Sequence, residues 1–468
     1  IIKMCGVIGI LGSFSLPASR DLLLLLTHRG QDASGILWST DEGYLARKVI
    51  GNPSLLDIPD ERSCLIIGST RYPTSGRRVG SEADLEKFVG PFNVDEVALT
   101  HNGNITNMTK FTSEGYECDS EFIADRLAHH LSKSNQDLIE AFKALDREVD
   151  GAYSLVGLHE GRMFAYRDPR GFKPLVFGRS ENLTVVASES TVVEMAGLNL
   201  ERDVYPGELV IFGPGLSMES HSISQNETHN HCFFEYVYFA HPAATIENQL
   251  VYDTRFRLGR ALARIFKKMN LETPDYVVPV PDTSRPAAQA LAEDLDVPMR
   301  EIILKNRYLG RTFIANTQKD RDLMAKNKYI YLQGKIRGKN ILVVDDSIVR
   351  GTTGKMIVAY LKKNGANKVF FAVTCPPQIH ACYYGIDIAT DKELIASDTS
   401  VDGIAEYIQA DALIYQDKNG LENAIGLKDL CFACLDGEYP TEFARRIRQS
   451  IEENGDSENC RDYERSIR

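Results

Sequence analysis

The sequence predicts an α+β sandwich followed by an α/β unit with a doubly wound parallel sheet. Three observations carry this. Over roughly the first 230 residues, short runs rich in β-branched and aromatic residues are separated by Gly, Asn, Asp or Pro. From about residue 250, amphipathic stretches alternate with short, wholly apolar runs, the pattern of strands buried on both faces. The two patterns meet at one bridging stretch, "ETHNHCFFEYVYFAHPAA". The expected divisions are residues 5–230, 250–415 and a C-terminal segment, 416–468.

In order, "CGVIGILG", "SCLIIGSTRY", "VDEVALTHNG", "GAYSLVGLHEGRMFAYRD" and "LTVVASES" read as strands. "SRDLLLLLTH" and "SEFIADRLAHHLSK" place apolar residues at three- and four-residue spacing and read as helices. In the second half, "TRFRLGRALARIFKKM", "RPAAQALAEDL" and "GKMIVAYLKKNG" are expected helices, and "DYVVPVPD", "NILVVDDS" and "KVFFAVTCPP" buried strands. The last segment carries "LCFACLDGEYPTEFARR" and then a charged tail expected to fray.

At 468 residues the chain can build more than one core. Its net charge of −12 argues against nucleic acid or an anionic membrane as partner. No apolar run approaches the ~20 residues of a membrane span. Nine cysteines without regular spacing suit a reducing, cytoplasmic setting better than a disulfide scaffold.

The most specific motif is "ILVVDDSIVRGTTGK". An apolar strand ends in Asp345 and Asp346, and the loop Ser347, Ile348, Val349, Arg350, Gly351, Thr352 and Thr353 leads into a helix. Ligands of open α/β sheets bind at the carboxyl ends of strands. Backbone amides, two threonine hydroxyls and a helix N-terminus suit a phosphate, and paired carboxylates suit vicinal hydroxyls. The combination reads as a ribose 5-phosphate site, against the plainer reading of an acidic turn before a helix. "PVPDTSRPAA" offers Thr283 and Ser284 at another strand end; with Asp345 and Asp346 they make a candidate Mg²⁺ site. Lys305, Arg307 and Arg311 in "LKNRYLGRTFI" read either as a loop closing over pyrophosphate or as a solvated basic turn.

In the first half, Arg71 can clamp an α-carboxylate, Asp119 can hold an ammonium, and Asn102 and Gly103 can serve an oxyanion. Singly, "HNGN" is also an ordinary turn, Asp119 a helix cap, and Cys5 an ordinary strand residue. Cys431 and Cys434 form a Cys-x-x-Cys pair that alone suits a structural, redox or zinc role.

Together, Cys5-Gly6, "THRGQDASGI", "STRYPTSG", "LTHNGNI" and "YECDSEFIAD" resemble the class II, amino-terminal-nucleophile glutaminases, whose fold is an αββα sandwich. Joined to the phosphoribosyl motif, they are similar to the amidophosphoribosyltransferase family, with a type I phosphoribosyltransferase second half; the resemblance runs from Cys5 to about Thr441. It implies that Cys5 attacks glutamine with its own α-amine as proton shuttle, and that ammonia passes internally to 5-phosphoribosyl 1-pyrophosphate. It further implies that Arg71, Asp119 and His101 line the glutamine site, that Asn102 and Gly103 form the oxyanion site, and that Arg29 and Asp32 support the nucleophile's loop.

The resemblance extends to the iron–sulfur branch, placing Cys232, Cys382, Cys431 and Cys434 as ligands of a [4Fe–4S] cluster, with zinc the alternative. It implies a homo-oligomer, dimer or tetramer, inhibited by purine nucleotides. It also implies that Ile1 to Met4 are removed before Cys5 can work, either as a propeptide remnant or because translation starts at Met4 and the methionine is trimmed. Two departures stand out: His241-Pro242-Ala243-Ala244 where Arg-Pro-Asp-Ser is usual, and Asn316 where proline is usual.

Overall fold

The structure, a computed structural model, describes residues 4–71, 83–108, 110–111, 116, 118–224, 228–306, 329–388 and 390–454. Arg307, Arg311 and Asn316 lie outside the described residues.

The first half is two antiparallel sheets face to face. One has seven strands in the order Arg202–Asp203, Val176–Arg179, Thr184–Ala187, Gly6–Ser15, Arg62–Arg71, Ala33–Thr40, Gly43–Ile50. The other has six: Met218–Ser222, Glu208–Phe212, Arg162–Arg167, Gly151–His159, Val97–Ile105, Phe92–Val94. Side chains alternate along each strand, and the period of two divides the core into layers. From Gly6–Ser15, Val7 and Leu11 point between the sheets and meet Val156, Leu158, Met163 and Phe212. Ile8 and Ile10 point outward, beneath Leu22 and Leu23 of the helix Leu16–Leu24. The second sheet's outer face, with Leu99, Leu155, Phe164 and Tyr166, is covered by Phe122, Leu127, Leu131, Phe142 and Leu145 of the helices Asp119–Lys133 and Leu138–Glu148. The result is the expected αββα sandwich. The hairpin of Ala33–Thr40 and Gly43–Ile50 was not among the expected strands; its outer strand, Gly43–Ile50, is mostly exposed and lacks an apolar run.

The second half is a parallel sheet in the order Tyr276–Pro279, Asn340–Asp345, Lys368–Val373, Ala412–Tyr415. Val277 also bridges in parallel to Met299 on the far side. One face is covered by Leu262, Phe266, Ala288 and Leu291 of the helices Val251–Lys268 and Arg285–Leu295. The other face is covered by Ile357, Val358 and Leu361 of the helix Thr352–Lys363, with Ile404 and Ile408. Coverage on both sides is why "ILVV" and "VFFAV" are apolar throughout. From Tyr276–Pro279 the chain runs outward to Met299, and from Asn340–Asp345 it runs the other way. The strand order therefore switches between those two strands, where ligands of such sheets bind.

The halves are joined by the bridging stretch and the C-terminal segment together. Cys232 pairs in parallel register with Cys431, and a π-helical turn, Glu235–Phe239, follows. Phe172 and Ala152 of the first half share a core with Tyr383, Tyr384, Tyr439 and Phe443. A helix, Glu442–Asn454, forms near the end and takes in the first residues of the charged tail, and the last residues lie outside those described.

Candidate functional site: a nucleophile pocket and a strand-end phosphate cradle

Cys5 stands immediately before the central strand Gly6–Ser15. Its pocket is lined by Thr70, Arg71, Phe88, His101, Gly103, Cys118, Asp119 and Ser120. Several of these sit at the ends of elements. Arg71 closes the strand Arg62–Arg71, where Gly6 pairs with Thr70; Asn102 and Gly103 lie in Val97–Ile105; Asp119 opens the helix Asp119–Lys133. The plain reading of Asp119 as a helix cap does not hold, because the cap position is Cys118 and Asp119 is the first helical residue.

The electrostatics separate the pocket's two thiols. Cys118 is fully buried, and that burial, with the Asp119 carboxylate beside it, pushes its thiol up to about 12. Cys118 therefore remains a thiol at neutral pH, whereas Cys5 is only half-buried. Burial also lowers the pKa of His101, against the pull of Asp119. Nε2 of His101 faces the Ala152 carbonyl at 3.3 Å, so it carries the hydrogen; Nδ1 then accepts from Ser120 Oγ at 3.1 Å.

Asn102 is fully buried, yet neither its side-chain oxygen nor its nitrogen has a hydrogen-bond partner. Leaving such a group unmet costs about 1–3 kcal/mol each. The structure makes "HNGN" part of the strand Val97–Ile105 and not a turn; at Gly103 any Cβ would stand 1.9 Å from the Ala152 carbonyl oxygen of the neighbouring strand, so only glycine fits there.

Beneath Cys5, Arg29 is completely buried. Its Nε donates to the Cys5 carbonyl at 3.1 Å, and its terminal nitrogens reach Glu189 at 2.7 Å and Glu235 at 2.6 Å. Burial works against this charge, but the two carboxylates outweigh it and hold the guanidinium firmly protonated. Glu189 is held down to about 2: burial opposes ionisation, and His28 and Arg29 overcome it. The backbone of Asp32 donates to the Arg71 carbonyl at 3.1 Å, tying its loop to the proposed clamp. Glu189 and Glu235 escaped the sequence reading. Glu235 left one signal, a lone carboxylate inside the aromatic run "FFEYVYF".

Met4 is buried, belongs to the same core as Phe233 and Tyr236, and donates its amide to the Arg29 carbonyl at 2.9 Å. The nitrogen of Cys5 is thus engaged in a peptide bond to a packed residue.

The second site lies at the switch point. Asp345 ends its strand, and the Asp346 amide donates to its carboxylate at 3.0 Å. Gly351 caps the helix Thr352–Lys363 with φ at 70°, a left-handed conformation that glycine takes without strain. Ile348 is buried, and Arg350 is exposed and paired with Glu393. Ser347 Oγ donates to Asp346 at 2.8 Å. Thr283 is half-buried, whereas Ser284 is buried and its hydroxyl donates to the Val280 carbonyl at 2.6 Å. Lys305 donates to Asp282 at 2.8 Å; against the effect of burial, Lys305 and Arg285 hold that carboxyl below its usual range.

The π-helical turn spans the distance between the sites. Glu235 at its start holds Arg29, and Tyr238 near its end is close enough to Asp346 and Asp345 that burial and those charges push its hydroxyl pKa upward. Arg255, buried, donates to the carbonyls of Tyr236, Tyr238 and Ala240 and clamps the turn.

The remaining cysteines gather at the same junction. Cys232 and Cys431 are register partners, Cys434 follows in Ala433–Asp436, and Cys382 lies in the loop that returns to the first half. Burial raises the thiols of Cys232, Cys431 and Cys434, and Cys382 acts on all three. No set of three or more Cys, His, Asp or Glu side chains closed to metal-binding proximity occurs among the described residues.

Two family models match the chain: a glutamine amidotransferase domain over residues 80–194 and a phosphoribosyl transferase domain over residues 252–406. The amidophosphoribosyltransferase of Methanocaldococcus jannaschii is 36% identical over 472 residues, covering 94% of this chain and 98% of that protein. That of Escherichia coli is 36% identical over 454 residues, covering 90% and 88%. Among solved structures, the glutamine phosphoribosylpyrophosphate amidotransferase of B. subtilis, complexed with ADP and GMP, superposes with a TM-score of 0.83 at 34% identity. It covers 94% of this chain and 98% of that one. Similarity at this level runs through both halves and the junction between them: the chain belongs to the amidophosphoribosyltransferase family.

Proposed function

We propose that the chain converts glutamine and 5-phosphoribosyl 1-pyrophosphate into glutamate, pyrophosphate and 5-phosphoribosylamine, the opening step of purine synthesis. The observation that carries the glutamine half is the buried amide of Asn102, without a hydrogen-bond partner among the described residues, next in sequence to His101 and Gly103, which line the pocket of Cys5. The Cys5 thiolate attacks the side-chain amide carbon. The carbonyl oxygen becomes an oxyanion, met by Asn102 Nδ2 and the Gly103 amide. The C–N bond then breaks, ammonia leaves with a proton relayed by the Cys5 amine, and water releases glutamate from the thioester. Arg71 holds the glutamine α-carboxylate and Asp119 its ammonium.

Ammonia then passes along the Glu235–Phe239 turn to the strand ends and displaces pyrophosphate from C1 of the ribose. Asp345 and Asp346 receive the ribose hydroxyls, and the amides from Ser347 to Thr353 receive the 5-phosphate. Mg²⁺ would be held by Asp345, Asp346 and Thr283 together with pyrophosphate oxygens, and would supply charge neutralisation for the leaving group. The backbone bond already made by Ser284 leaves its hydroxyl less disposed to that role.

The four-cysteine junction is proposed to hold a [4Fe–4S] cluster, a structural centre stapling the bridging stretch to the C-terminal segment. The convergence of Cys232, Cys382, Cys431 and Cys434 supports it, as does a buried, unpartnered Lys173 ammonium beside them, which fits a group of net negative charge. A cytoplasmic setting, a homo-oligomer and inhibition by purine nucleotides complete the reading. The B. subtilis relative was solved with ADP and GMP, and among the described residues no helix is long and apolar enough to cross a membrane.

The deciding experiment measures pyrophosphate release with glutamine or with ammonia, for protein cut between Met4 and Cys5 and for Cys5→Ala. Glutamine use should vanish in the variant while ammonia-dependent synthesis survives. Loss of both in a folded protein would refute two separable sites. Sedimentation with and without AMP or GMP tests the assembly and its effectors.

A further inference from the structure

Lys173 is an unusual residue for its position. It follows Phe172 in "GFKPLVFG", its side chain has no exposed surface, and its ammonium has no hydrogen-bond partner among the described residues. A buried ammonium without a partner is costly unless negative charge lies close by. The carboxylates in reach are already committed: both Glu235 oxygens accept from Arg29, and Glu189 is shared between Arg29, His28 and the His241 amide. What Lys173 does face is the cysteine junction. Phe172 accepts from the Cys232 amide at 3.1 Å, which fixes Lys173 next to that ligand strand. Phe172, directly before it in the chain, also packs in one buried cluster with Cys382 and Cys431.

Two further groups turn donors toward the same sulfurs. Gln378, almost wholly buried, directs Nε2 at Cys434 Sγ (3.8 Å), with its own oxygen unmet. The Tyr384 amide points at Cys382 Sγ (3.4 Å). Neutral thiols are weak acceptors, whereas metal-bound thiolates are strong ones. Donors and a fixed cation converging on buried sulfurs match a centre that carries negative charge.

We propose that Lys173 is the counter-cation of the four-cysteine centre, and that Gln378 and the Tyr384 amide are the hydrogen-bond donors to its sulfurs. Lys173 is thereby a positioning and charge-balancing residue, with no contact to either substrate. The inference rests on the reading of that junction as a thiolate metal centre.

The test uses the full chain purified without oxygen, as wild type, Lys173→Met, Lys173→Arg and Gln378→Leu. Iron, acid-labile sulfide and zinc are measured first, then the rate of metal loss to a chelator and, for a cluster, its reduction potential. Lys173→Met should lose metal about 10–100-fold faster than wild type and shift the potential downward. Lys173→Arg should recover most of both, and Gln378→Leu should shift the potential the same way by less. Equal metal content, loss rate and potential in wild type and Lys173→Met would overturn the role of Lys173 while leaving the cluster reading intact. Zinc without sulfide in wild type would overturn the cluster, and Lys173 would then be judged on zinc loss alone. A wild type holding no metal would overturn both.

Discussion

Asn102 and Glu189 are both buried polar residues, and they illustrate opposite uses of burial. Asn102 is left unmet, the condition of a group that awaits a ligand. Asn102→Ala should lower glutamine-dependent kcat by about 10²–10³-fold. Ammonia-dependent synthesis should stay near wild type, and steady-state assays with each nitrogen source read the difference. Glu189 is fully met, by Arg29 and His28. Its folded pKa lies near 2, below the ordinary 4.5, so its contribution is present above pH 4.5 and is lost as pH falls toward 2. Thermal melts across that window should show the loss in wild type and a shallower slope in Glu189→Gln. That variant should also be less stable at neutral pH, by about 3 kcal/mol, because it breaks a buried pair.

Among elements, the loop that carries Cys382 also buttresses the strand segment that holds Asn102 and Gly103. Asn104 donates to the Tyr383 carbonyl at 3.0 Å, and a Cβ on Gly385 would stand 2.9 Å from the Gly103 carbonyl oxygen. With φ at 93°, Gly385 is also in a conformation that alanine resists. Gly385→Ala should displace the strand at Gly103 and depress glutaminase activity more than ammonia-dependent synthesis. Equal loss of both, in a protein with an unchanged melting temperature, would contradict this.

For the whole molecule, the two sites work as one only if the segment between them keeps its shape. Arg255 holds that segment through three backbone carbonyls. Its guanidinium is drawn down to about 10 by burial, against the pull of Asp346 and Glu189. Arg255→Met should uncouple the halves: glutamate should form in excess over pyrophosphate, where wild type gives about one to one. Activation is a property of the same scale. Met4 lies in the core shared with the bridging stretch, so a cut after it both frees the Cys5 amine and removes a packed side chain. Protein in which Met4 stays attached should show no glutamine use; amino-terminal sequencing alongside activity checks this.

Much of this was legible in the linear chain, because period-two and apolar patterns are local consequences of burial. The strands around "VIGIL" and "ILVVDD", the helix "RPAAQALAEDL" and the glycine required before Thr352 each follow from nearest neighbours in sequence. So does the pairing of a nucleophile motif with a phosphate cradle, since each motif is contiguous. What no local pattern encodes is charge balance across distance. Arg29 finds Glu189 and Glu235 across 160 and 206 positions. Those contacts exist only once two sheets, a π-helical turn and the C-terminal segment have packed together. Electrostatic energy depends on separation and on burial, and both are set by the tertiary structure alone.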